Sequence, residues 1–180
     1  MAFSFNKTYK TKIQIVNLCN CYGPYQYLEK FIPTCIFSII KNKPLPIYGK
    51  GKNSREWIYV TDHCEALLKI FFKGKIGESY NVGTNQNISN VKLAKKLLGI
   101  VKNKTLRVNK KVKIVFVKDR PGHDFRYALD SNKILKKLGW KAKISLNRGL
   151  LQTFNWYIHN KSFFNSVSKK LHVNRLGLKI

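Results

Sequence analysis

The hydrophobic pattern along the chain alternates between short apolar runs and stretches with helical spacing. Runs with the length and β-branched content of strands lie at 13–18, 45–49, 55–60, 79–82 and 114–117, with a further candidate at 126–129. Apolar residues recur at helical spacing over 28–41, 62–74, 90–101, 131–139 and 146–159. Strands that alternate with helices in this way predict an α/β fold, and no linker divides the chain.

Residues at the ends of two predicted helices carry start and stop signals. Asp62 and Glu65 have the spacing of a capping box, in which the first side chain caps free amides and the second reaches back. Ser131 is expected to cap the following helix, and Gly139 to end it. These signals predict helix starts at 62 and 131.

Composition adds a strong positive charge to this picture. The 180 residues include 35 Lys and Arg against 8 Asp and Glu, a formal net charge of +27, and 44% are hydrophobic, enough to bury a core. Lysine supplies 29 of the 35 positive residues, and Asn and Ile, whose codons are also rich in A and T, number 17 each. Because the lysines are spread over every segment, we interpret them as a solvated surface rather than a nucleic-acid-binding face. Nucleic-acid binding is therefore a minor alternative.

No segment has the pattern of a membrane helix, an export signal or a metal site. The longest apolar runs stop well short of the roughly 20 residues that span a bilayer, and the N-terminus lacks an apolar signal core. The four cysteines lack the paired spacing of a zinc site and are too few for a disulfide scaffold; they are Cys19, Cys21, Cys35 and Cys64. We expect a cytoplasmic protein with reduced thiols.

Two nucleotide-enzyme signatures are missing from the sequence. It contains no glycine-rich turn between a strand and a helix, and no P-loop. Tyr157 and Lys161 have the spacing of a Tyr-x-x-x-Lys pair, but they lie in the C-terminal helix, and we interpret them as non-catalytic.

Three motifs carry a resemblance to a known family: YGPYQ at 22–26, R-x-W-x-Y-V-x-D-H at 55–63 and DRPGHD at 119–124. On these motifs the chain resembles the C-terminal part of the dTDP-glucose 4,6-dehydratases, in the extended branch of the short-chain dehydrogenase/reductase superfamily. The resemblance implies an α/β fold made of the last strands of a Rossmann-type parallel sheet plus a small substrate-binding subdomain. Residues 1–164 would form this nucleotide-sugar-binding part and 165–180 a tail, without the N-terminal NAD-binding half.

The resemblance also implies which residues contact substrate. The matching positions are Asn20, Lys30, Phe31, Pro46, Ile47, Tyr48, Arg55, Asn90, Asp119, Arg120 and His123. Arg55 and Arg120 would face the diphosphate, since a guanidinium offers forked donors to its oxygens, and His123 would donate to phosphate or ribose. Core packing is the alternative for Phe31 and Ile47, and helix capping for Asn90.

Two positions depart from the family pattern. Cys21 stands where the family commonly has a second Asn near the nicotinamide, so this chain has the cofactor-binding position without the family's carboxamide. Phe125 stands where a basic residue is usual.

The family reaction implied by the resemblance converts dTDP-glucose to dTDP-4-dehydro-6-deoxyglucose and water with bound NAD. Its tyrosinate base and acidic pair lie in the family's N-terminal half, so we expect no catalytic residue here and no activity from this chain alone. Three hypotheses follow: a truncated or split dehydratase, a non-catalytic nucleotide-sugar-binding module, and a basic nucleic-acid-binding protein. The first implies a dTDP-sugar and a separate N-terminal Rossmann chain as partners, and a homodimer for the complete family enzyme.

Overall fold

A computed structural model describes residues 1–102 and 112–166. Its helices are α1 Ala2–Tyr9, α2 Phe31–Ile40, α3 Val60–Lys73, α4 Asn90–Lys102, α5 Asn132–Leu138, α6 Leu146–His159 and α7 Lys161–Ser166. Its strands are β1 Ile15–Leu18, β2 Asn20–Tyr22, β3 Leu45–Tyr48, β4 Ser54–Tyr59, β5 Ser79–Val82, β6 Asn87–Ser89, β7 Ile114–Val117 and β8 Arg126–Tyr127. The α/β class predicted from the sequence is confirmed.

The chain forms two compact units, and it passes between them several times. The first unit contains 1–21, 55–87 and 127–146. Of the described residues, the second contains 22–54, 88–102, 112–126 and 147–166. The short strands near these crossing points form a sheet in the order β2-β4-β6, with β8 also paired to β4.

The first unit is built on a parallel pair of strands. β1 pairs with β5 in a register that runs from Ile15 opposite Ser79 to Leu18 opposite Val82. Parallel strands must be joined by a long crossover connection. The connection from β1 to β5 contains α3. The buried core joins side chains from these strands, α3, α5 and their flanks: Cys19, Ile58, Ala66, Ile70, Tyr80, Val82, Ile134 and Trp140.

The second unit is built on a parallel pair of strands as well. β3 pairs with β7, from Leu45 opposite Ile114 to Tyr48 opposite Val117, and α2 and α4 pack on β3. Pro33 lies in the first turn of α2, where its missing N–H has no helical partner to lose.

The predicted capping box at α3 is wrong. The helix begins at Val60, directly after β4, so Asp62 lies inside its first turn and is 2% exposed. Its carboxylate accepts hydrogen bonds from the main-chain amides of Lys143 (3.0 Å) and Ile144 (2.8 Å), while Glu65 pairs with the Lys143 ammonium at 2.7 Å. Both acids serve a tertiary contact rather than the helix terminus.

Ser131 precedes α5 as predicted, but its side chain does not cap the helix. Its hydroxyl is buried and, in the part of the chain that the structure describes, has no hydrogen-bond partner. Gly139 ends α5 in the left-handed conformation, with φ +60°, which glycine adopts at little cost.

The differences from expectation include a shortened strand and an unpredicted helix. The strand expected at 126–129 is limited to Arg126–Tyr127. The sequence pattern missed α1, which buries no residue and leaves Phe3 and Phe5 about half exposed.

All four cysteines are thiols, with Cys19 and Cys35 buried and Cys64 exposed. Among the described residues, no helix combines the length and apolar content needed to cross a membrane.

Candidate functional site

The parallel pairing of β3 and β7 places predicted site residues at one edge of the second unit. Both strands end at the same edge, β3 at Tyr48 and β7 at Val117, and the main-chain amide of Gly49 donates to the Val117 carbonyl at 2.8 Å. The DRPGHD loop at 119–124 follows β7 directly. Ligands of open α/β sheets bind outside the carboxyl ends of the strands, so this edge is the candidate site.

Asp119 organises the loop that carries it. One carboxylate oxygen accepts from the main-chain amide of Arg120 at 2.9 Å and lies 2.7 Å from Nδ1 of His123. The bond to His123 is the main reason why the pKa of Asp119 lies below its usual range. Asp119 therefore directs its carboxylate to its own loop.

Gly49 makes room for this carboxylate. Its φ is +54°, and a Cβ built on it would lie 2.8 Å from Oδ2 of Asp119. A side chain at this position would therefore be strained and would also displace Asp119. The turn after β3 and the loop after β7 fit together only with glycine here.

His123 is oriented from two sides. Its side chain is 7% exposed, Nδ1 faces Asp119, and its ring meets Tyr48 edge to face at 6.1 Å between centroids. A carboxylate at Nδ1 fixes the ring orientation, and Nε2 lies on the opposite side of the ring from this contact. Arg120, three residues earlier, is exposed.

The first amides of α4 already have main-chain acceptors. The amide of Asn90 donates to the Asn53 carbonyl at 2.9 Å, and that of Val91 to the Gly51 carbonyl at 3.1 Å. The loop between β3 and β4 therefore occupies the first two amides of α4, and Asn90 can offer a ligand its side chain but not its amide.

Burial alternates along β3. Ile47 is fully buried, with Cγ2 close to Gly51, whereas Pro46 and Tyr48 on the alternate positions are partly exposed. Ile47 is thus a packing residue, and Pro46 and Tyr48 are the accessible members of this strand.

Lys30 and Phe31 lie at the start of α2. Lys30 occupies the N-cap position with an extended backbone, and its ammonium, 56% exposed, pairs with Glu29 at 2.9 Å. Phe31 is the first helical residue and is half-buried. Over residues 1–102 and 112–166, no hydrogen bond or ion pair joins Lys30 to the 119–124 loop.

The other predicted residues belong to the first unit. Arg55 is in β4 and only 8% exposed, and Asn20 and Cys21 are half-buried residues of β2. Cys21 raises the pKa of Cys19 slightly, after the larger effects of burial and of the Glu56 carboxylate.

Sequence reasoning missed Glu56, which lies between Arg55 and Trp57 in the R-x-W motif. Its carboxylate, 1% exposed, accepts from the main-chain amides of Thr84, Asn85 and Leu129. The sequence did contain a signal for this role, because Glu56 is an acidic residue within a predicted strand. A charge buried in a strand needs hydrogen-bond partners from elsewhere in the fold.

Tyr157 has the environment of a structural residue. It is fully buried, its hydroxyl donates to the main-chain carbonyl of Gln26, and burial raises its pKa well above the usual range. A catalytic base needs the opposite shift, so this geometry supports the interpretation that Tyr157 and Lys161 are not a catalytic pair.

A family model settles where the chain belongs. The model described as GDP-mannose 4,6 dehydratase matches residues 1–153. The chain belongs to the GDP-mannose 4,6-dehydratase family.

Individual known proteins are similar to the chain in sequence and structure. The dTDP-glucose 4,6-dehydratase of Xanthomonas campestris is 38% identical over 167 residues, which are 91% of this chain and 48% of that protein. The Bacillus anthracis dTDP-glucose 4,6-dehydratase in complex with NAD superposes with a TM-score of 0.81 at 37% identity, over 89% of this chain and 49% of that one. The Streptomyces venezuelae enzyme with NAD bound gives 0.83 at 34% identity, over 94% and 50%.

The predicted resemblance to the dTDP-glucose 4,6-dehydratases is confirmed by these comparisons. The chain spans about half the length of the curated relatives it matches. Its fold is that of a portion of a Rossmann-type dehydratase.

The turn after β5 does not fit the diphosphate of NAD. In the first unit, the glycine that directly follows a parallel strand is Gly83, after β5, and a Cβ there would lie 2.7 Å from the Glu56 carboxylate. A carboxylate in this position repels a phosphate instead of holding it. We therefore derive no step through NAD from these residues.

Proposed function

We propose that this chain supplies the nucleotide-sugar-binding part of a dTDP-glucose 4,6-dehydratase. The observation that carries the proposal is Asp119, which holds the Arg120 main chain and the His123 ring together beside Tyr48 at the carboxyl edge of β3 and β7. A positive group and a buried imidazole at one edge suit a ligand with negative charge.

Arg120 and His123 would bind the diphosphate. The exposed guanidinium of Arg120 can offer forked donors to phosphate oxygens. Nε2 of His123, on the side of the ring away from Asp119, would donate to a phosphate or ribose oxygen. Asp119 would act on the ligand only through these two neighbours.

The other positions would surround the nucleotide. Pro46 and Tyr48, the accessible residues of β3, would line the base pocket. The positive charge of Lys30 lies at the N-terminus of α2, where the helix dipole disfavours a cation. This position supports an anionic partner for Lys30 besides Glu29. The remaining proposed contacts come from Asn20, Phe31, Arg55 and the side chain of Asn90, while Ile47 shapes the pocket from the core.

Catalysis belongs, in this proposal, to residues outside the described ones. The chain would bind and orient dTDP-glucose, and a Rossmann-type N-terminal half would supply NAD and the acid and base groups. The homodimer and the cytoplasmic location expected from the sequence stay predictions.

A non-catalytic nucleotide-sugar-binding module is the second candidate. What supports it is that the contacts of Asp119 with Gly49, Arg120 and His123, which shape the proposed diphosphate subsite, are all made within this chain. Both candidates use the same nucleotide-sugar site. They differ in that the module would work without a separate N-terminal half that supplies NAD and the catalytic groups.

Complementation separates the two candidates. The full chain is mixed with the N-terminal half of the Xanthomonas campestris relative, and formation of dTDP-4-dehydro-6-deoxyglucose is followed with NAD and dTDP-glucose. Turnover by the mixture but by neither part alone supports the dehydratase role. Binding of dTDP-glucose without turnover in the mixture supports the module, and failure to bind dTDP-glucose overturns both.

A further inference from the structure

Asn53 connects three segments of the second unit although it carries no charge and belongs to none of the recognised motifs. It lies in the loop between β3 and β4 and is 7% exposed. Its side-chain Nδ2 donates to the main-chain carbonyl of Asp124 at 3.2 Å. This bond reaches the end of the DRPGHD loop across 71 residues of sequence.

The main chain of the same residue holds the start of α4. Its carbonyl accepts from the amide of Asn90 at 2.9 Å. The next residue, Ser54, donates its amide to the Phe125 carbonyl at 2.8 Å, which continues the contact with the DRPGHD loop. One buried asparagine thus joins the loop of Arg120 and His123 to the helix of Asn90.

We propose that Asn53 is a positioning residue for the diphosphate subsite. The inference rests on the proposed function and adds to it a residue that touches no ligand. Asp119 sets the beginning of the 119–124 loop, and Asn53 sets its end, so that Arg120 and His123 lie on a segment fixed on both sides. A buried carboxamide is suited to this task because it makes directional bonds without adding charge near the anion.

The geometry predicts which part of the binding energy depends on Asn53. The 119–124 loop carries the two proposed phosphate-binding side chains, whereas the proposed base pocket lies on β3, which Asn53 does not bond. Loss of the Asn53 side-chain bond should therefore weaken binding of the diphosphate and leave the nucleoside part unchanged. General loss of stability would weaken both to the same extent.

The test compares dTDP with thymidine on the full chain by isothermal titration or competition. Asn53→Ala removes the donor, and Asn53→Leu removes it at similar size without adding charge, so the leucine variant carries the test if the alanine variant does not fold. Asn147→Ala is the matched control, because Asn147 is an exposed asparagine of the same unit that bonds only Lys96 among the described residues.

We expect both Asn53 variants to weaken dTDP binding about five- to tenfold, the range of one hydrogen bond, with thymidine affinity within about twofold of wild type. Equal losses for dTDP and thymidine, or no loss for dTDP, would overturn the positioning role while leaving the proposed function intact. Absence of dTDP binding by the wild-type chain would instead overturn the proposed function.

Discussion

The buried carboxylate of Glu56 offers the most quantitative test of how the first unit is held together. It accepts from three main-chain amides, those of Thr84 and Asn85 at the end of β5 and that of Leu129 at 3.1 Å. With 1% exposure, water does not replace these bonds in the folded state. Glu56→Gln keeps the shape but turns one acceptor into an NH₂ donor, which must then face at least one of the amides.

The expected loss can be worked out from these bonds. One hydrogen bond to a charged group contributes about 1.5–3 kcal/mol, and an unsatisfied buried donor costs about 1–3 kcal/mol. The lost hydrogen bond and the unsatisfied donor arise from the same contact, so their costs do not add in full. Glu56→Gln should therefore lower the free energy of unfolding by about 2–4 kcal/mol, out of the roughly 5–15 kcal/mol typical of domains.

Urea unfolding followed by tryptophan fluorescence measures this loss. With a slope of about 1–3 kcal/mol per molar urea, the midpoint should fall by about 0.7–4 M. Glu65→Gln is the control, since Glu65 makes an exposed ion pair with Lys143 and exposed pairs contribute little. A Glu56→Gln protein within about 0.5 kcal/mol of wild type, the usual range for surface substitutions, would refute the reasoning.

Three further predictions concern the second unit and the thiols. Gly49→Ala should weaken dTDP binding more than Gly122→Ala, because both have φ near +60° but only the first Cβ would meet Asp119; equal effects would mean that this contact is unimportant. The lowered pKa of Asp119 means that its contribution to stability is present above the usual carboxyl pKa of about 3.9 and is lost as pH falls through the lowered value; an NMR titration midpoint at or above the usual value would contradict this. Exposed Cys64 should react with a thiol reagent much faster than buried Cys35, whose pKa is raised by burial to about 12, and similar rates would show that the core is not packed as described.

Hydrophobic periodicity predicted the elements that bury an apolar face. The helix at 146–159 and the strand at 79–82 have the predicted bounds, because each alternates between buried and more exposed positions in the way its period requires. The strand at 114–117 also has the predicted bounds, but its β-branched run indicated it rather than alternation, since its two middle residues are both exposed. Helix α1 has no such face, since all its residues are at least partly exposed, and local pattern could not indicate it.

Local signals failed where a tertiary contact took over the same side chain. Asp62 and Glu65 have capping-box spacing, but the segment at 143–144 supplies their actual partners about eighty residues later. The motifs similarly identified Asp119 as a site residue without indicating that it faces Gly49. Asn53 lies in a polar loop with no periodicity, so only its contact across the fold distinguishes it.

The central claim is that the loop after β7 binds the diphosphate of a thymidine nucleotide. It is tested most directly by isothermal titration of the full chain with dTDP, for wild type and for Arg120→Ala side by side. The account predicts saturable binding at one site, weakened by about tenfold or more in the variant, as expected for a charge-assisted contact. No binding by wild type, or equal affinity in both proteins, would contradict it.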